Sequence, residues 1–264
     1  MRTNLSVLTV VLAAVCLWAV PASAVVVFTE TFDGPGLPST LTYDANPQIT
    51  WSIDGSNRLL ADFASGNFSV NAITNDGFIA PAGLRTIYSG DVGIPSGASP
   101  GSYNVGLLFG GYRAQFHPGY TPIPGAFRME GGFGTSNQDM GFVPALGVMH
   151  HIDVETFMTG GGLAVDVTIA GLGTDALMHT FNFSFFDTSP NLNTGQIGGR
   201  RSGGGNALSD GIYDNFQVQF VPEPSSIVLL LPAMLGVLVL WRRSRSVTRP
   251  PPEVTRCGLS RNSG

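Results

Sequence analysis

Apolar residues along the middle of the chain recur at every second position. Ile49, Trp51 and Ile53 fall on one face of an extended segment, and Tyr103, Val105, Leu107 and Phe109 on one face of another. Leu163, Val165, Val167 and Ile169 alternate with Ala164, Asp166 and Thr168, and Phe181, Phe183 and Phe185 alternate with Asn182 and Ser184. Successive side chains of a strand point to opposite faces, so this period predicts half-buried β-strands. Turn sequences separate the runs: Asp33-Gly34-Pro35-Gly36, Asp54-Gly55-Ser56-Asn57, Asn75-Asp76-Gly77 and Gly171-Leu172-Gly173. No long amphipathic helical pattern interrupts them. The pattern predicts an all-β body over residues 25–220, built as an antiparallel two-sheet jelly-roll sandwich.

Composition agrees with that body and narrows its partners. The 264 residues include 35 glycines and 18 prolines without a three-residue period, which excludes collagen and favours many turns. Between Val25 and Val221 six arginines face sixteen acidic residues, a net charge of −10, so nucleic acid is not expected as a partner. The two cysteines, Cys16 and Cys257, both fall outside this segment, so packing rather than a disulfide must stabilise it.

Both ends carry targeting patterns. Arg2, the apolar run Leu5 to Val20 and Pro21-Ala22-Ser23-Ala24 have the charged, apolar and small-residue regions of a secretory signal. Residues 1–24 are read as a signal peptide whose helix is removed after Ala24, with Ala22 and Ala24 as the small residues signal peptidase recognises. Cys16 leaves a lipoprotein alternative open, although Val15 stands where lipid attachment favours a small residue.

Residues 221–245 read Val221-Pro222-Glu223-Pro224-Ser225-Ser226, then the apolar stretch Ile227 to Trp241, then Arg242-Arg243-Ser244-Arg245. The prolines keep the backbone extended and outside any helix. A permanent span needs about 20 apolar residues. This stretch is shorter and is interrupted by Pro232 and Gly236, which suits temporary anchoring. Arg242, Arg243 and Arg245 hold that end in the cytoplasm. The order of parts resembles the PEP-CTERM sorting signal of bacteria that possess an exosortase. The resemblance implies a transmembrane helix over 227–241, a transient stay in the inner membrane, and cleavage by exosortase near Pro222, Glu223 and Pro224. Delivery to the cell surface or the extracellular space would follow. A plain C-terminal anchor is the alternative. One departure is the continuation 246–264, a tail with Pro250-Pro251-Pro252 expected to be disordered, where members of the family usually stop sooner.

A second resemblance rests on Phe28-Thr29-Glu30-Thr31-Phe32-Asp33, the Trp51 to Leu60 segment, and Tyr213-Asp214-Asn215-Phe216-Gln217-Val218. These look like a concanavalin A-like, laminin-G-like sandwich, which implies that the first and last strands pair side by side. A different β-sandwich and a galactose-binding-like jelly roll stay open.

Laminarinase-like β-glucanases of that superfamily carry Glu-x-Asp-x-Glu on one strand, its alternate carboxylates facing the cleft. Here His151-Ile152-Asp153-Val154-Glu155 keeps the second and third acidic positions and places an imidazole where the nucleophile would stand. The expectation is a solvated strand face over buried Ile152 and Val154. His151, Asp153 and Glu155 are candidates for a glycan-binding face, and no catalytic residue is assigned. His117, His150, His151 and His179 lack zinc-like spacing, so no metal or cofactor is expected. Asp44, Asp54, Asp76 and Asp91 read as turn aspartates capping their own backbone, and Asp187 and Asp210 likewise. Gly198 to Gly205, with Arg200 and Arg201, reads as a flexible basic loop. Exposed aromatic side chains on one rim, Trp51 or Tyr120 for example, would favour a lectin. The sequence reads as an exported, non-enzymatic surface or extracellular-matrix protein. Signal peptidase and exosortase are its partners in export, and exopolysaccharide is a candidate partner. A carbohydrate-binding lectin-like module is the second reading and a divergent glycoside hydrolase the third.

Overall fold

The computed structural model describes residues 24–63, 68–81, 83–96, 103–120, 122–131, 134–172, 177–201 and 211–222. These form strands and no helix, within one compact unit spanning Val20–Pro222. In chain order the strands are β1 (Val25–Glu30), β2 (Leu41–Tyr43), β3 (Ile49–Ile53), β4 (Leu59–Phe63) and β5 (Phe68–Thr74). Then come β6 (Leu84–Gly93), β7 (Tyr103–Phe109), β8 (Tyr112–His117), β9 (Ala126–Gly131) and β10 (Gly134–Asp139). The last five are β11 (Met149–Thr159), β12 (Gly162–Gly171), β13 (Leu177–Phe185), β14 (Gly195–Arg201) and β15 (Gly211–Pro222).

Two antiparallel sheets result. The eight-stranded one runs β13-β12-β11-β6-β15-β4-β3, with β1 added beside β15, and the seven-stranded one runs β10-β9-β8-β7-β14-β5-β2. The expected pairing of first and last strands is present, Val25 facing Phe220 and Glu30 facing Phe216. The long strands give alternate residues to the core between the sheets: Ile152 and Val154 from β11, Val165, Val167 and Ile169 from β12, and Val105, Leu107 and Phe109 from β7. Phe28 of β1 lies between Phe78 and Phe216, with ring centroids at 5.8 and 5.7 Å, and so fastens the first strand to the core.

The period of two breaks once in β15. Tyr213 and Phe216 both point into the core with two residues between them, and the register against β6 shifts between Asp214 and Gln217. Asn215 takes a left-handed conformation with φ of 50°, which asparagine tolerates better than most residues. This bulge turns the Asn215 amide back across the sheet.

Several sequence readings change. Asp91 is not in a turn: it sits in β6 opposite His151 and is buried. Gly198 to Arg201 is not a loop: it forms the end of β14, hydrogen-bonded to β5 and β7 on its two sides. The sheet also runs past residue 220, since Val221 and Pro222 pair with Arg85 and Leu84. Pro222 therefore ends a strand. Ala22, Glu223, Pro224, Arg242, Arg243 and Arg245 lie outside the described residues, as do the signal helix, the 227–241 helix and the 246–264 tail. Among the described residues no helix is long and apolar enough to cross a membrane.

Candidate functional site

On β11 the alternation turns His151, Asp153 and Glu155 away from the core that takes Ile152 and Val154. All three share one face, as the sequence predicts, and each is tied to a neighbour. His151 Nδ1 stands 2.6 Å from Asp91 Oδ1, and its Nε2 3.3 Å from Asp153. Asn215 of the bulge donates to the other oxygen of Asp91 at 2.7 Å, and Ser89 of β6 donates to Asp153 at 2.5 Å. Glu155 forms a 2.8 Å ion pair with Arg85, whose guanidinium lies 4.1 Å from the centre of the Phe157 ring.

These contacts fix the charges. Hydrogen bonds to Asp153 and Asp91 push the His151 imidazole up to about 10, so it is a cation at neutral pH. Burial alone would raise Asp153, but its hydrogen bonds from His151 and Ser89 outweigh that and hold it below the usual carboxylate range. Asp214 goes the other way: burial first, then the charges of Asp91 and Asp33, raise it.

Beside this group the sheet face holds a recess of about 410 Å³. Its walls come from four adjacent strands: Thr29 of β1, Gln217 and Gln219 of β15 with Asn215 at the bulge, Ser89 of β6, and His151 and Asp153 of β11. Gln217 faces Thr29 on one side and Ser89 on the other, so the strand register alone brings these hydrogen-bonding groups together. The amides and the threonine hydroxyl can each donate and accept, which suits a ligand rich in hydroxyls. The sequence pattern found His151 and Asp153. It missed Thr29, Ser89, Gln217 and Gln219, although Gln217-Val218-Gln219 in the closing strand is a readable polar–apolar alternation. Glu155 lies beyond the recess walls.

The chemistry for glycoside cleavage is weak here. His151 occupies the position of a nucleophile as a cation held between carboxylates, and Glu155 is engaged in an ion pair with Arg85. No group of three histidine, cysteine or acidic residues suited to a metal is present among the described residues. His150 points to the opposite face from His151, between Phe116 and Phe142, and burial lowers its pKa. Asp54 accepts from the backbone of Ser56 and Arg58, and Asp187 from that of Ser189, as turn aspartates do. Trp51 is not a rim aromatic: it packs on Tyr43 and the core, 5.5 Å between ring centroids. Tyr120 is half-buried against His117, at 5.0 Å.

No protein-family model matches the chain, and no curated protein does. Solved structures match in fold. An endo-1,3-β-glucanase from Streptomyces sioyaensis is similar with a TM-score of 0.54 at 12% identity, over 78% of this chain and 99% of that one. Lectin I from Ulex europaeus is similar with a TM-score of 0.52 at 8% identity, over 76% and 99%. Basic winged bean lectin gives 0.51 at 8% identity over the same shares. The chain thus has the lectin- and glucanase-like jelly-roll sandwich.

Proposed function

We infer that the protein is an exported, non-enzymatic surface protein whose sandwich binds carbohydrate through the recess on its eight-stranded sheet. The observation that carries this reading is the wall of neutral hydrogen-bonding groups, Thr29, Ser89, Gln217 and Gln219, beside a His151 cation fixed by two carboxylates. A preorganised set of donors and acceptors in a concavity is what a sugar requires, because its hydroxyls lose water on binding and need replacements in fixed directions. The fold supports the reading by analogy: among the similar structures, the Ulex europaeus lectin is bound to a methyl glycoside of α-L-fucose.

Delivery follows from the two ends. Signal peptidase removes residues 1–24, the 227–241 helix holds the chain in the inner membrane, and exosortase cuts at Pro222-Glu223-Pro224. The sandwich is left at the surface with exopolysaccharide as its partner. The position of Pro222 at the end of β15 supports this order, since a cut beyond it leaves every strand of the body intact.

The test is a glycan array probed with the purified protein, alongside an assay for new reducing ends on each glycan that binds. Retention without cleavage is expected. Release of reducing ends, abolished by Glu155→Gln, would replace this reading with the glycosidase.

A further inference from the structure

The first and last strands of the sandwich begin and finish at one end of the eight-stranded sheet. β1 starts at Val25, opposite Phe220, and β15 finishes at Pro222, opposite Leu84 of β6. At the same end β11, whose Thr156 is opposite Thr86 of β6, turns back into β12 with Met158 opposite Leu163. Leu163 is in turn opposite Phe185 of β13, so Phe186 leaves the sheet here as well. From β1 to β13 this rim crosses six strands, a width of about 24 Å at the usual strand spacing.

The rim is apolar and open to solvent. Phe186 is 89% exposed, and Ile79, in the segment that leads into β6, is 81% exposed. Val25, Val26 and Met158 are exposed beside them. Residues 25–27, 78–81, 83–85, 157–163, 184–186 and 219–222 hold one charged side chain, Arg85. That guanidinium is ion-paired with Glu155 at 2.8 Å and lies over the Phe157 ring. Asp187, which follows Phe186, accepts a 2.6 Å hydrogen bond from the Tyr112 hydroxyl. Asp91 and Asp214 face each other toward the other end of the sheet. Exposed apolar side chains gathered without charges mark a contact with another protein or with a membrane.

The course of the chain selects the membrane. Residues 223–226 separate Pro222 from the apolar stretch that begins at Ile227. Even fully extended, that connection spans about 18 Å. We propose that the rim is a membrane-docking surface. While the chain is anchored, Val25, Val26, Ile79, Met158 and Phe186 enter the lipid headgroup layer and hold the Pro222-Glu223-Pro224 strip at the bilayer surface. This rests on the reading of 227–241 as a membrane anchor. Uncharged apolar side chains suit the boundary between headgroups and acyl chains, where each one withdrawn from water strengthens the contact. A second copy of the chain could cover the same side chains, but would not account for their place at the point where the chain leaves the body. Leu172 and Leu177 are exposed at the opposite end of the sheet, beyond Gly171 and opposite Ala170, away from both Val25 and Pro222. They supply the control.

The test uses the full chain with Cys16→Ser and Cys257→Ser, exported from cells without an exosortase and reconstituted in vesicles of phosphatidylethanolamine and phosphatidylglycerol. A nitroxide is attached in turn at Phe186→Cys, Ile79→Cys and Leu172→Cys, three exposed positions where the label leaves the core undisturbed. Flotation of the vesicles reports anchoring. Collisions of the nitroxide with oxygen and with a water-soluble nickel chelate then report its surroundings. In vesicles the labels at 186 and 79 should shift toward oxygen and away from nickel, while the label at 172 stays open to nickel. A chain that floats with all three labels equally open to nickel would refute the rim and leave the anchor standing. A chain that does not float would refute the anchor and the rim together. Loss of access to both reagents at 186 and 79 would mean that protein covers the rim, and would also overturn the proposal.

Discussion

His151 and Asp91 face each other across β11 and β6 at 2.6 Å, the imidazole partly in water and the carboxylate buried. Removing the cation would leave the buried Asp91 carboxylate with Asn215 as its one side-chain hydrogen-bond donor among the described residues. His151→Leu is expected to cost about 2–3 kcal/mol, less than a fully enclosed pair because one edge of the ring is solvated. Denaturant unfolding of both proteins at pH 6 checks this.

The same contact predicts how stability varies with pH. His151 is raised from 6.5 to about 10 in the folded protein. Its contribution is therefore complete below 6.5 and fades as pH climbs toward 10. Unfolding midpoints measured from pH 6 to 10 should fall in the parent protein and stay flatter in His151→Leu. NMR titration of His151 near neutral pH would contradict the assignment.

His150 predicts the opposite slope. Burial lowers its pKa and its ring nitrogens have no partner among the described residues, so protons bind the unfolded chain first as pH falls below 6.5. His150→Phe, between Phe116 and Phe142, should reduce the loss of stability between pH 7 and 5, read from thermal midpoints at the two values.

The first strand is held by one aromatic anchor. Phe28→Ala should cost about 3–4 kcal/mol, as for other buried phenylalanines. Removal of residues 1–24 should leave the thermal midpoint unchanged, because the pairing of β1 with β15 runs from Val25 to Glu30.

Processing at the C-terminus is tested by intact mass of the protein from producing cells. Pro222 belongs to the sheet, so the informative change is Glu223→Ala with Pro224→Ala, which leaves the pairing of Pro222 with Leu84 in place. The account predicts loss of all residues beyond the strip in the parent and retention of the full C-terminus in the variant. A full-length parent in the membrane fraction would make the segment a simple anchor.

What the sequence made legible was the inward side of each strand. Leu163 to Ile169 and Phe181 to Phe185 announce buried faces because period two is unbroken there. The outward sides were harder to read. Asp91 lies in Gly90-Asp91-Val92-Gly93, which has turn composition, yet it is paired on both sides by β11 and β15. Gly198-Gly199-Arg200-Arg201 has loop composition, and only the presence of β5 and β7 on either side makes it a strand. Cross-strand partners supply what local propensity lacks. The recess was half visible for the same reason: His151 and Asp153 are near in sequence, whereas Thr29, Ser89 and Gln217 meet only through register. The Asp214-Asn215 bulge left a sign, the spacing of three between Tyr213 and Phe216.

Calorimetric titration with the glycan best retained on the array tests the central claim most directly, in the parent protein and in Gln217→Ala with Gln219→Ala. The account predicts saturable binding by the parent and at least a tenfold weaker affinity in the variant, about 1.4 kcal/mol, with an unchanged thermal midpoint. Equal affinity in both proteins would contradict a carbohydrate site in the recess.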